Sequence, residues 1–189
     1  MRKLISITAH YISKVNNYTK DQEQQMEYAL KVFVFEALKT IGTFTIFCIV
    51  GKPIYALVAI ITMITTKPFI GGYHEDSQMK CFFSTVFIIG SVVYLSYNVN
   101  INLFGKIILG MVSLYCIWNQ APIVNSAMPI TREDLLIKNR NIGIILSSVF
   151  IIIGLIFYRL EVVSNTITWI MIFQALLMFN KKNLINRIY

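Results

Sequence analysis

Six apolar runs alternate with short polar gaps along the chain, near residues 32–50, 53–66, 82–97, 101–118, 142–158 and 162–179. A bilayer core of roughly 30 Å calls for about 20 apolar residues per helix. A helix that is apolar on every face must be buried in protein or in lipid. The pattern therefore predicts an all-α integral membrane protein with about six transmembrane helices. The second and third runs are short for a full span and need their flanks, or tilted neighbours, to make up the thickness. Residues 3–15 repeat differently. Leu4, Thr8, Tyr11, Ile12 and Val15 fall near one helical face, while Lys3, Ser6, His10 and Lys14 fall largely elsewhere. That spacing predicts an N-terminal amphipathic helix lying in the membrane interface. The expected organisation is an amphipathic cytoplasmic or interfacial segment over 1–31, a six-helix membrane domain over 32–180 with a polar loop at 67–81, and a basic cytoplasmic tail over 181–189.

Composition agrees: 56% of the 189 residues are hydrophobic, and the mean hydropathy is +0.64. The net charge of +8 would suit nucleic acid if it were clustered on a polar domain, but the basic residues sit in the gaps between apolar runs. Arg2, Lys3, Lys14, Lys20 and Lys31 precede the first run, Lys67 and Lys80 follow the second, Arg132, Lys138 and Arg140 follow the fourth, and Lys181, Lys182 and Arg187 end the chain. The alternate gaps hold only Lys52 and Arg159. By the positive-inside rule both termini and the 67–81 loop are expected in the cytoplasm of a plasma membrane, and nucleic acid is not an expected partner. The N-terminus begins with a basic pair like a signal peptide, yet no long apolar stretch or small-residue cleavage site follows, so it is expected to be retained. Glu36 and Lys39 are three residues apart in the first run, near its cytoplasmic end, where they are expected to pair or snorkel.

Of three cysteines, Cys48 and Cys116 lie inside apolar runs, where a small buried hydrophobe is the usual role. No second Cys or His stands at zinc-ligand spacing, so neither a metal nor a cofactor is expected. Cys81 differs. It closes the stretch Lys67-Pro68-Phe69-Ile70-Gly71-Gly72-Tyr73-His74-Glu75-Asp76-Ser77-Gln78-Met79-Lys80-Cys81, which carries one of the two histidines. An imidazole can take the proton of a thiol or stabilise its thiolate. On one continuous helix, seven residues would hold His74 about 10.5 Å from Cys81, so the loop must fold back for the two to meet. Gly71-Gly72 permits that bend. Asp76 or Ser77 can cap the next helix, leaving Cys81 in or just after its first turn, where the helix dipole favours a thiolate and unpaired N–H groups could stabilise an oxyanion. Lys67 and Lys80 add positive potential. Glu75 and Asp76 could orient the imidazole or simply face water.

The Gly71-Gly72-Tyr73-His74 run, with Cys81 seven residues after the histidine, resembles the signature of the AgrB family, the membrane cysteine endopeptidases of accessory gene regulator quorum-sensing systems. Chain length, the amphipathic N-terminus, six apolar segments and the landmarks Ala121-Pro122 and Pro129-Ile130 extend the likeness over nearly the whole chain. The resemblance implies that Cys81 is the nucleophile and His74 its base. Gly72 matches the glycine two residues before the histidine, and Ser77 a position that is commonly Ser or Thr. Lys67 stands where family members often have Arg; it keeps the charge and loses the bidentate fork. The uncharged stretch Ile123–Met128 departs from the acidic and lysine residues found there in many members. The implied substrate is an AgrD-like propeptide with an amphipathic leader, a signal segment and an acidic tail. Cleavage through a Cys81 thioester would let an internal nucleophile close a thiolactone or lactone autoinducing peptide. The lipid membrane is a further partner, a homodimer stays open, and a Gram-positive source is implied. Two other readings remain beside this one, a small multispan transporter and a noncatalytic membrane scaffold.

Overall fold

The structure, a computed structural model, describes residues 2–16, 18–72, 77–123 and 133–179. Their helices are α1 (Arg2–Asn16), α2 (Lys20–Ile49), α3 (Pro53–Ile70), α4 (Gln78–Asn98), α5 (Leu103–Gln120), α6 (Glu133–Ile156) and α7 (Glu161–Leu177). Helices α2 to α6 are long and apolar enough to cross a membrane, and α7 is apolar and one residue short of that length class at 17 residues. The protein is an all-α integral membrane protein.

Helix ends depart from the apolar runs in one direction: they reach into the polar flanks. α2 starts at Lys20 because Thr19 and Gln22 cap it reciprocally. The Thr19 N–H donates to Gln22 Oε1 at 2.9 Å, and the Gln22 N–H to Thr19 Oγ1 at 3.4 Å. Asp21 and Glu23 then occupy the first turn, where the dipole favours acids. α6 begins at Glu133, again with acids in its first turn. α3 runs on through Lys67 and Pro68, and α4 starts at Gln78. The two short runs thereby become helices of 18 and 21 residues.

The chain divides into two compact units, Met1–Thr45 and Ile46–Tyr189. In the first, α1 turns into α2 with the Tyr18 N–H donating to Ser13 O at 3.0 Å. His10 Nδ1 lies 2.9 Å from Glu23 Oε1, and Ser13 Oγ donates to Glu23 Oε2 at 3.3 Å. The bond from His10 holds the Glu23 carboxyl below its ordinary range. Ile7, Tyr11 and Val15 are exposed on α1. Glu36 and Lys39 form the expected ion pair within α2.

In the second unit, α7 packs against α3, α4, α5 and α6. Thr66, late in α3, meets Gln174, late in α7, so these helices run parallel. Ser164, early in α7, donates to Gly154 O late in α6, so those two run antiparallel. The side facing outward is apolar, with Phe87, Tyr94, Tyr115 and Ile145 exposed, while Thr62, Thr66, Ser113, Ser147, Ser164 and Thr166 are buried. Such a distribution inverts that of a soluble protein. Small polar residues let spanning helices approach closely, and lipid covers the apolar exterior. Ile70, Ile117, Ile167, Met171 and Met178 belong to one buried core cluster. Cys48 is exposed and Cys116 half-buried, which corrects the expectation of buried packing residues: both lie on apolar helices where lipid, not protein, takes up most of the apolar burial.

Candidate functional site

The polar loop starts from a tightly held corner. Pro68 sits in the last turn of α3, and the Gly71 N–H closes it on Lys67 O at 2.9 Å. Gly71 (φ 77°) then pairs with Ile123 in an isolated parallel bridge, and the Ile123 N–H donates to Ile70 O at 3.0 Å. A Cβ on Gly71 would stand 2.1 Å from Ile123 O. This glycine is needed for close approach as well as for its left-handed backbone. Ile123 follows the cis Ala121-Pro122 bond at the end of α5. On the other side Gly143 of α6 backs onto the corner, and a Cβ there would lie 3.2 Å from Ile70 N. Gly72 (φ 139°) has open space around its α-carbon.

The loop ends at α4. Ser77 is its N-cap with extended backbone, but its side chain makes no capping bond; of the two capping candidates, Asp76 lies outside the described residues. The Ser77 carbonyl accepts the Cys81 N–H at 2.9 Å. Cys81 is therefore the fourth residue of the helix, at the edge of the first turn as expected. Its own N–H is committed, which leaves the N–H groups of Gln78, Met79 and Lys80 as the donors ahead of that bond. Cys81 is half-buried, Lys80 is exposed, and Cys81 O accepts from Thr85 Oγ1 at 2.9 Å.

Lys67 and Gly72 come together in one narrow pocket of about 10 Å³, shared with Gly71, Ile88 and Gln174. That is room for about one water molecule. Ile88 is seven residues along α4 from Cys81, on the same face, so Cys81 sits about two turns from the pocket. His74, Glu75, most of the inter-proline stretch and the tail lie outside the described residues.

Two residues that the sequence reading passed over, and one that it placed in a loop, belong to this end. Gln174 is 4% exposed and Thr66 fully buried. Arg140, read from sequence as a loop charge, is on α6; its guanidinium donates to Trp118 O at 3.0 Å and lies 5.5 Å from the Trp118 ring. A cation there complements the carbonyl end of α5. The available signal was a Gln inside an apolar run, since polar side chains at membrane depth are costly unless used.

Comparison with known proteins matches the same extent of chain. The family model for accessory gene regulator B matches residues 5–178. The chain is 40% identical over 181 residues to putative AgrB-like protein 1 of Clostridium perfringens (strain 13 / Type A), covering 96% of this chain and 97% of that protein. It is 25% identical over 172 residues to accessory gene regulator protein B of Staphylococcus aureus (strain bovine RF122 / ET3-1), covering 87% and 91%. No solved structure gives a significant match. With the family model spanning nearly the whole chain and a relative aligned from end to end, this membrane protein belongs to the accessory gene regulator B family.

Proposed function

We propose that the protein is a membrane cysteine endopeptidase that removes the acidic tail of an AgrD-like propeptide. The observation that carries this reading is the setting of Cys81. It is a half-buried thiol at the edge of the first turn of α4, ten residues beyond the Gly71 corner, which is held by Ile123 after α5 and by Gly143 of α6. The dipole at that helix end favours a thiolate, and the preceding N–H groups suit a developing oxyanion.

In the proposed reaction His74 takes the Cys81 proton, and the thiolate attacks the carbonyl at the junction with the tail. The tetrahedral intermediate collapses with rupture of the C–N bond, and the imidazolium gives its proton to the leaving amine. The signal portion stays as a thioester on Cys81. An internal thiol or hydroxyl of the signal then gives its proton to the neutral His74 and attacks the thioester, Cys81 leaves as thiolate beside the imidazolium, and a thiolactone or lactone closes. Lys67 and Lys80 supply positive potential toward an acidic tail. The exposed face of α1 with Ile7, Tyr11 and Val15 serves as interfacial anchor, residues 32–180 form the membrane domain, and the loop faces the cytoplasm. No metal or cofactor is required by this scheme.

The test is co-expression with an AgrD-like propeptide, read by mass. Cys81→Ala and His74→Ala should abolish tail removal, while Cys48→Ala and Cys116→Ala should leave it intact. Tail removal by Cys81→Ala in membranes holding normal protein levels would overturn the reading. Labelling of Cys81 in intact cells by a membrane-impermeant thiol reagent, with the other cysteines replaced, would overturn the orientation.

A further inference from the structure

Thr66 and Gln174 pose a problem of proton counting. Thr66 Oγ1 stands 2.7 Å from Thr62 O and 2.7 Å from Gln174 Oε1, while Gln174 Nε2 is buried with no partner among the described residues. A hydroxyl has one proton, so it cannot donate to both oxygens. The two ends of a carboxamide have nearly the same shape, and the hydrogen-bond network decides between them. With the amide turned over, Nε2 donates to Thr66 Oγ1 and Thr66 donates to Thr62 O. The amide oxygen then takes the buried position that lacks a partner. In either orientation one polar end of a side chain only 4% exposed is left over, and burying such a group unpaired is costly. The same side chain lines the pocket of about 10 Å³ that it shares with Lys67, Gly71 and Gly72. Met63 and Ile170 give that pocket apolar walls.

We propose that this pocket is a binding site for one water molecule, held by the Gln174 amide, and that the water ties α7 to the corner at Gly71 and Gly72. The size selects the ligand: the volume is that of about one water, too small for an oxyanion or a peptide group. The walls supply the two or more polar partners that a buried water needs. Gln174 offers its left-over amide atom. A glycine has no side chain, so the polar atoms that Gly71 and Gly72 bring are main-chain ones. A water carries two protons, so it can serve the amide oxygen and a main-chain carbonyl together. Such a bridge is nearly as good as a direct hydrogen bond. Ile123 and Gly143 hold the corner from the sides of α5 and α6; the water adds a hold from α7. Gln174, oriented by Thr66, is in this way a positioning residue of the processing reaction, because the polar loop departs from the corner. That role rests on the reading of Cys81 given above, whereas the water site does not.

The experiment is radiolytic footprinting of the full-length protein in membranes, in heavy-oxygen water with a radical scavenger in the bulk. An X-ray pulse makes hydroxyl radicals from bound water, and a radical born in the pocket oxidises the side chain beside it. Met63, 6% exposed, lines the pocket; Met171, fully buried and outside it, is the control. Met63 should take up heavy oxygen well above Met171. Gln174→Leu should bring Met63 down to the level of Met171, and Thr66→Val should lower it in part. If Gln174→Leu fails to accumulate, Thr66→Val decides alone. Met63 no more labelled than Met171 in the parent would overturn the water site, and labelling untouched by either substitution would overturn the part given to the amide. The second arm measures tail removal from an AgrD-like propeptide at equal protein level. Gln174→Leu should lower kcat about tenfold with KM unchanged, and Gln174→Glu, which keeps an oxygen for the water, should recover most of it. Unchanged kcat in Gln174→Leu would overturn the positioning role and leave the reading of Cys81 standing. No tail removal by the parent would overturn that reading and the positioning role with it, while the footprint still decides the water site.

Discussion

The two ends of α7 are both polar and are built for different work. Near its start, Asn165 Nδ2 reaches the carbonyls of Ser96 and Val99 at 3.5 and 3.4 Å, Ser164 Oγ donates to Gly154 O at 2.7 Å, and Asn100 Nδ2 donates to Glu161 Oε1 at 2.8 Å. Lys52 stacks 3.2 Å over the Tyr97 ring at the same end. These groups tie off helix ends, where carbonyls lack intrahelical partners. Near the other end, Thr66 Oγ1 lies 2.7 Å from Gln174 Oε1, and Gln174 lines a pocket with Gly71 and Gly72. One end uses its polar side chains on its own backbone. The other pairs two side chains with each other, beside the corner from which the polar loop departs. Buried polar atoms without a partner among the described residues occur at both ends, Ser96 Oγ and Asn165 Oδ1 at one and Gln174 Nε2 at the other, so the ends differ in what their paired groups bond to.

Substitutions can break or sharpen this contrast. Gly71→Ala should have the largest effect, since its Cβ meets the Ile123 carbonyl at 2.1 Å with φ at 77°. We expect a loss of about 3 kcal/mol in detergent unfolding and loss of propeptide cleavage. Gly72→Ala carries strain but no collision, and should cost about 1 kcal/mol; equal damage from both would remove the clamp from the account. At the opposite end, Ser164→Ala strands the Gly154 carbonyl and should cost about 1 kcal/mol, with cleavage per folded molecule unchanged. A change in cleavage kinetics there would erase the distinction between the ends. Asn165→Leu should cost less, about 0.5 kcal/mol, because its two contacts are long; thermal unfolding beside Ser164→Ala checks the order.

The smallest effect lies outside both ends, in the first unit. Glu23 has its carboxyl lowered from the ordinary 4.5 by the bond to His10. A depressed carboxyl favours the folded contact above its ordinary value, and the contribution is lost as pH falls through the lowered one. Hydrogen exchange at the Tyr18 amide, corrected for intrinsic rate, should therefore lose protection below about pH 4.5 in the parent chain. Glu23→Gln should show no such step.

The sequence by itself determined the class of the molecule. Runs of apolar residues near bilayer length admit few solutions other than spanning helices, because an unpaired backbone group in lipid is too costly. The period of α1, the pairing of Glu36 with Lys39, the break at Gly71-Gly72 and the place of Cys81 at a helix start were legible for similarly local reasons. Helix ends were less so: the capping of α2 by Thr19 and Gln22 and the acids opening α6 extend helices into segments that hydropathy reads as gaps. What only the tertiary structure decided is contact between distant residues. Nothing local in Gly71 announces that Ile123 passes 2.1 Å from where its Cβ would be. Nothing local in Gln174 says that Thr66, 108 residues earlier, holds it. Arg140 reads as a loop charge until Trp118 of a neighbouring helix lies under it. Hydropathy and local signals set which segments enter the membrane and where they bend, since both depend on nearby residues; the partner of a buried polar side chain depends on which helices pack together, and packing brings residues together without regard to their distance along the chain.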